Sequence, residues 1–251
     1  MSFEFLKPVS DAVQAHAMLQ PQHAIGNVIQ IHTEHTGLPQ LDGVQMVLIG
    51  VLENRRDENA LLQLKSVDSV RKQFYELYPG NWSLSMVDLG DVHPGETVQD
   101  TYYVLKQITA QLLIKKIIPV YLGGSQDLMY PIYRAFDDIQ YMINVVNVDC
   151  RFDLGDIEAA ISSRSYIGRM VADQPYNLFN YSNLGFQTYF NSQDEIELLE
   201  RMFFDATRLG VLDDDMRQAE PVMRDADLVG VDMAVVKAGD TAFAKANPNG
   251  L

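Results

Sequence analysis

The chain has 251 residues, 47% of them hydrophobic, with 19 Lys and Arg against 34 Asp and Glu. That length suits one large α/β domain or two small ones, with enough apolar residues for a sizeable core. The net charge of −15 argues against nucleic acid as a partner, because phosphate contacts need a basic surface. A single cysteine, Cys150, forbids an intramolecular disulfide and points to a reducing compartment, so a cytoplasmic protein is expected. The first residues, MSFEFLKPVSDAV, lack a basic stretch followed by an apolar one, so no secretory leader is expected. No run of 18 apolar residues occurs, and no membrane span is expected.

Residues 1–43 are weakly patterned and read as an N-terminal extension packed on the core. From there strands and helices alternate. VQMVLIGVLE (44–53) is a continuous apolar run of strand type. VDSVRKQFYELY (67–78) places Val67, Val70, Phe74, Leu77 and Tyr78 at amphipathic-helix spacing, and Pro79-Gly80 ends it. SLSMVDLGD (83–91) predicts a second strand, and Gly95 to Lys116 a long helix. KIIPVYLGG (116–124) predicts a third strand, closed by two glycines. A helix follows over 127–136, with Pro131 in its first turn or kinking it. YMINVVNVD (141–149) predicts the fourth strand and SNLGFQTYF (182–190) another. Asp194 to Phe204 reads as a helix with acids at its start. A short ATRLGVL follows, then an acidic helix start at Asp213-Asp214-Asp215, and the last strand lies within 225–236. Apolar strands alternating with helices predict a three-layer α/β/α sandwich with a mainly parallel sheet. Ligands of such sheets bind beyond the carboxyl ends of the strands.

Three strand ends therefore matter: GGSQD (123–127), DCRFD (149–153) and VDMAVV (231–236). Each alone is a weak signal. Gly123 and Gly124 suit a tight strand-to-helix turn with Ser125 or Asp127 as cap. The functional reading of the same residues is an anion or ligand site lined by backbone at a helix N-terminus. A lone Asp232 after a strand is often a cap or an ion-pair partner. Asp149, Arg151 and Asp153 could form a local ion pair, since residues two apart in an extended segment share a face.

Taken in order and spacing, the three segments resemble the ureohydrolases, the family of arginase, agmatinase and formimidoylglutamase. That family carries GGDHS, then DAHxD, then SxDxDxxDP at successive strand ends, and later a PGGL-like loop. The counterparts are Gly123 to Asp127, Asp149 to Asp153, Gly230 to Lys237, and Pro248-Asn249-Gly250-Leu251. SVDSVRKQFYELYPG (66–80) and VDLGDV (87–92) add to the likeness, which covers about residues 40 to 251. It implies an arginase-like domain over 44–251. The family's late catalytic glutamate would lie beyond Leu251, and a later strand would insert between the GGSQD strand and the last one. An incomplete, C-terminally truncated fold is therefore expected.

The resemblance also implies a chemistry. Two manganese ions share a hydroxide that attacks the central carbon of an amidine or guanidinium, and six ligands hold them, two His and four Asp. Asp149, Asp153 and Asp232 match ligand aspartates. Gln126 and Arg151 stand at the two histidine positions, and Ala234 replaces an aspartate. All five histidines, at 16, 23, 32, 35 and 93, precede the motifs. One metal position would keep Gln126, Asp149, Asp153 and Asp232, an oxygen set suited to a hard cation. The other would see Arg151 and Ala234, which cannot ligate. At most one divalent cation (Mn, Mg or Ca) and no binuclear manganese centre are expected.

Arg151 carries five donors and no acceptor, so it could bridge Asp149 and Asp232 as a surrogate for the metal. Alternatively it swings out and the acids hold a metal without it. Pairing of Arg151 with at least one of the three acids is the expectation. Tyr166 or Arg164, in SSRSYIGRMV (162–171), could contact a ligand, although a plain loop role suits them. Lys237 departs from the family's DP. Two functional readings lead: a pseudoenzyme that binds a small molecule or protein, and a divergent amidine hydrolase running on one metal. A generic nucleotide-binding domain using GGSQ is a third, unsupported by any GxGxxG or P-loop. The expected partner is a small amidine or guanidino compound, and the expected assembly a homo-oligomer.

Overall fold

In a computed structural model the chain is described at residues 2–58, 63–81, 83, 85–139, 142–240 and 250–251. It forms two compact units, Met1–Ala135 and Phe136–Leu251. The loop residues Pro248 and Asn249 singled out above lie outside the described residues.

The first unit carries strands β1 (Leu6–Lys7), β2 (Gln30–Ile31), β3 (Met46–Val51), β4 (Met86–Val92) and β5 (Ile118–Leu122). Its helices are α1 (Asp11–Met18), α2 (Ile25–Val28), α3 (Asp68–Tyr75), α4 (Val98–Ile114) and α5 (Met129–Arg134). The sheet order is β1-β4-β3-β5, with β2 also on β4. β3 pairs in parallel with both β4 and β5. Among the described strands of this sheet, β1 alone is antiparallel. Thus the weakly patterned first 43 residues supply two short strands to this sheet.

Alternation along β3 sends its side chains to two faces. Val47, Ile49 and Val51 pack with Leu105, Ile108 and Leu112 of α4. Leu48 packs on the other side with Val13 and Ala17 of α1 and Tyr75 of α3. α4 opens with a capping box in which Thr97 and Asp100 exchange side-chain and backbone hydrogen bonds. Pro131 sits in the first turn of α5, where its missing N–H costs nothing.

On the same face as Leu48, β4 buries two acids. Arg71 of α3 lies between them, donating through Nε to Asp88 Oδ2 at 2.7 Å and pairing through Nη1 with Asp91 at 2.8 Å. Tyr75 donates to Asp88 at 2.8 Å. All four side chains are buried.

Just beyond β3, Glu53 is buried and accepts hydrogen bonds from Arg55 and from Thr101 of α4. Burial pushes its carboxyl up, but the Arg55 and Thr101 hydrogen bonds and the Arg55 charge outweigh that and hold it below its ordinary value. The stabilisation is therefore complete above the unfolded-state value of about 4.3 and is lost as pH falls through the lower folded value. Glu53→Gln is expected to cost about 1.5–3 kcal/mol at pH 7. Urea unfolding at pH 7 and in acid should show the wild type losing more stability on acidification than the variant.

The second unit carries β6 (Ile143–Val148), β7 (Leu178–Phe186), β8 (Asp205–Arg208) and β9 (Leu228–Val231). Their order is β8-β7-β6-β9, and every pairing is parallel. Its helices are α6 (Tyr166–Ala172), α7 (Gln193–Arg201), α8 (Leu209–Asp214) and α9 (Ala219–Arg224). Val146 and Val148 of β6 pack with Leu184, Leu212 and Val235.

Two expectations here are corrected. The strand expected over 182–190 runs over 178–186, because its buried face carries Tyr181 and Asn183 rather than a continuous apolar run. Of the acids at 213–215, only Asp215 opens a helix. Asp213 and Asp214 end α8, and Asp215 caps the 3-10 turn Met216–Gln218 by accepting from the Arg217 N–H. The stretch ATRLGVL supplies β8 and the start of α8.

Candidate metal centre

Parallel strands end together, and β6 and β9 each deliver an aspartate at that end. Asp149 follows β6, and its N–H donates to Leu184 O of β7 at 3.0 Å. Asp232 follows β9, and its N–H donates to Val148 O of β6 at 3.0 Å. The chain after Asp149 does not stay extended. Asp149 Oδ1 accepts the N–H of Arg151 at 3.0 Å, which closes a tight turn. Asp153 then takes a left-handed backbone with φ of 52°, a conformation that Asp tolerates better than most residues. The turn brings Asp153 back beside Asp149. Each of Asp149, Asp153 and Asp232 offers an oxygen, and these oxygens lie within 4.8 Å of one another.

Polar side chains from β7 and the loop beyond it clamp this turn. Asn183 donates to Arg151 O at 2.8 Å. Asn191 donates to Cys150 O at 3.0 Å and accepts from Phe152 N–H at 2.9 Å. Neither asparagine was singled out from the sequence. The signal available was Asn183 itself, a polar residue inside a buried parallel strand.

Arg151 does not sit between the acids. Its Nη1 donates to Phe190 O at 2.7 Å, and its guanidinium carbon lies 4.6 Å from the centre of the Phe190 ring. Among the described residues, the cation that meets Asp153 is Arg164, whose Nη1 lies 3.2 Å from Asp153 Oδ1. The expected pairing of Arg151 is thus corrected, and so is the plain loop role given to Arg164. The reason is the turn: with Arg151 N–H folded onto Asp149, the side chain leaves on the opposite side.

Burial pushes the Asp149 carboxyl well above its ordinary value, and the neighbouring charges of Asp153 and Asp232 push the same way. Asp153 is also raised, by burial and the charge of Asp232, against the charge and hydrogen bond of Arg164. Asp149 Oδ2 and Asp153 Oδ2 are buried with no hydrogen-bond partner. Unpartnered carboxylate oxygens facing one another in a buried cluster are costly unless a proton or a cation joins them. Three carboxylates suit a hard divalent cation, so the residues present fit one such ion.

Ala234 directs its N–H to Asp232 Oδ1 at 2.7 Å, and its side chain is a methyl group. Tyr166 starts α6 fully buried, and burial together with the charges of Asp153 and Asp149 raises its hydroxyl well above the ordinary value. Gly123 and Gly124, in the first unit, both have positive φ. A Cβ on Gly124 would meet Leu128 Cδ1 at 2.2 Å. Ser125 donates its N–H to Glu53 O, so that donor is already used. Gln126 opens the 3-10 turn Gln126–Leu128, also in the first unit.

The family model described as "Arginase family" matches residues 59–241. This chain belongs to the arginase family. No curated protein sequence matches it. Among solved structures, the arginase-family chain resembles a Trypanosoma cruzi formiminoglutamase determined with Mn2+, at 15% identity and a TM-score of 0.71, covering 80% of this chain and 74% of that one. It also resembles formimidoylglutamase from Bacillus subtilis, at 16% identity and a TM-score of 0.70, covering 86% and 74%. Agmatine ureohydrolase of Thermoplasma volcanium follows at 18% identity and a TM-score of 0.67, covering 85% and 75%. At such identities these likenesses establish the fold: mixed α/β with mainly parallel sheets. Among the described residues no helix is long and apolar enough to cross a membrane.

The two arginines of this arginase-family site are expected to behave differently. Arg151→Ala removes a ring contact and one hydrogen bond to a carbonyl, and should cost about 1 kcal/mol. Arg164→Gln removes the cation from beside Asp153. It should lower the stability of the metal-free protein yet raise its affinity for a divalent ion, because a competing positive charge is gone. Thermal melts with and without Mg2+ separate the two effects.

Proposed function

We propose that this arginase-family chain is related in function to hydrolases of linear amidines, and that its metal centre is reduced to a single cation. Hydrolysis of arginine, agmatine or formimidoylglutamate is accordingly lost or weak. One observation carries this reading: Asp149, Asp153 and Asp232 converge, with Asp149 Oδ2 and Asp153 Oδ2 unpartnered, while Arg151 leaves the cluster for Phe190. An arginine and a methyl group stand where a second ion would need ligands. An arginine has no acceptor for a metal, whichever way it points.

In this reading Asp149, Asp153 and Asp232 hold the ion. Arg164 fixes the Asp153 carboxylate, and Asn183 and Asn191 fix the turn between Asp149 and Asp153. A divalent cation bound there supplies Lewis-acid polarisation of a substrate nitrogen or oxygen and activation of water. The ligand is a small amidine or guanidino compound.

Elemental analysis of protein equilibrated with Mn2+ tests the stoichiometry, and release of urea, ammonia or formamide tests turnover. No more than one ion per chain is expected, with no turnover above background. Two manganese ions per chain, with turnover abolished by Asp149→Ala, would overturn the proposal. Turnover with one ion per chain would establish a divergent single-metal hydrolase, the second reading, which the converging acids favour.

A further inference from the structure

The second unit contains a cleft of about 420 Å³ at the carboxyl ends of β7 and β8. Phe186 and Leu209 line it with apolar surface, and Thr188, Arg208, Asp213 and Lys237 face it with polar groups. Arg208 ends β8, and Lys237 follows the 3-10 turn Met233–Val235 that succeeds β9. In a chain with 15 more acidic than basic residues, two cations lining one cleft stand against the average. Four of the six other arginines of this unit are spent on carboxylates: Arg164 on Asp153, Arg169 on Asp173, Arg217 on Asp215 and Arg224 on Glu220. Neither the Arg208 nor the Lys237 side chain has an ion pair or a hydrogen bond among the described residues.

We propose that this cleft binds a small-molecule carboxylate through Arg208 and Lys237. Guanidinium offers a planar fork that matches a carboxylate, and the lysine adds a mobile point charge. The Thr188 hydroxyl provides a further donor, and the apolar floor takes a short carbon chain. The volume lies in the range of small-ligand sites, and the cleft opens at the carboxyl ends of parallel strands. Asp213, on the same cleft, disfavours a second carboxylate at its own position and accepts an ammonium instead. The site is made of residues other than Asp149, Asp153 and Asp232, so it stands whether or not those acids hold an ion.

Titration calorimetry of the full chain with glutarate, glutamate and the diamine cadaverine tests this. Saturable binding of glutamate or glutarate is expected, weaker as salt rises, with cadaverine not competing. Arg208→Gln and Lys237→Gln should each weaken the carboxylate about tenfold or more, the loss of one charge-assisted contact. Both side chains are exposed, and circular dichroism will verify that the variants fold. Asp149→Asn should leave the affinity unchanged, which separates this site from the metal centre. No saturable carboxylate binding, affinity indifferent to both variants, or preference for cadaverine would each overturn the proposal.

Discussion

A divalent cation is expected to raise the melting temperature of the metal-free protein by several degrees, and Asp149→Asn to abolish the rise. A ligand that binds only the folded state stabilises it by about 2.7 kcal/mol at a concentration one hundred times its Kd. For a chain of this size that is about 5–10 °C. The cause is the geometry of the three acids, whose oxygens lie within 4.8 Å of one another with two of them unpartnered. Without a cation, each buried carboxylate raises the cost of ionising the next. Asp149→Asn removes one of those charges, so the metal-free variant should be at least as stable as the metal-free wild type. Thermal melts with and without Mn2+, Mg2+ and Ca2+ check both halves. A shift that survives in Asp149→Asn would place the ion elsewhere. A variant clearly less stable than wild type in chelator would mean that Asp149 holds the fold together for some other reason.

Arg71→Leu should be the most damaging single change in the first unit. Arg71 is wholly buried and lies between Asp88 and Asp91, which are buried as well. Gly90 O accepts a further hydrogen bond from Nη2 at 3.1 Å. The attraction of Asp88 and Asp91 outweighs the cost of burying the guanidinium and keeps it charged. Removing one partner of a buried ion pair leaves an uncompensated charge and costs about 3–5 kcal/mol. Here two carboxylates would be orphaned together, so the upper end is expected. Gly50 packs against the same group, where a Cβ would lie 2.0 Å from Asp91 Oδ1 and 3.1 Å from Arg71 Nη2. The triple change Arg71→Leu, Asp88→Asn, Asp91→Asn should recover part of the loss, since it removes the orphaned charges. Urea unfolding of the single and triple variants measures this. A single variant within about 1 kcal/mol of wild type would show that water reaches the acids and solvates them.

These two sites differ in how far the sequence disclosed them. The acids of the candidate metal site were legible because Asp149 and Asp232 follow apolar strand runs and because DCRFD and VDMAVV resemble the ureohydrolase ligand motifs. The Arg71 network was not, because nothing in VRKQF marks one arginine of an amphipathic helix as buried. Its partners, Asp88 and Asp91, sit inside a strand whose remaining residues are apolar or Gly. Two acids in such a strand need a cation, but only the packing of α3 on β4 says which one.

That Asp149, Asp153 and Asp232 belong to one site was implied by their resemblance to the ureohydrolase motifs. The sequence by itself determined the order of the elements and the parallel pairing. Each follows from short-range pattern: continuous apolar runs make doubly covered strands, amphipathic spacing makes the helices between them, and the chain must turn where glycine or aspartate ends a run. Only the tertiary structure decided which cation meets the acids. Read as an extended segment, Asp149, Arg151 and Asp153 share one face, which puts the arginine in the middle. In the folded chain Asp149 captures the Arg151 N–H, and Asp153 adopts a left-handed backbone. Asn183 and Asn191 hold that turn from a different strand and loop. The turn reverses the direction of one side chain, sends Arg151 to Phe190 and leaves Arg164, eleven positions after Asp153, to supply the charge. Side-chain direction at a turn depends on backbone dihedrals that distant partners stabilise, and no local pattern encodes those partners.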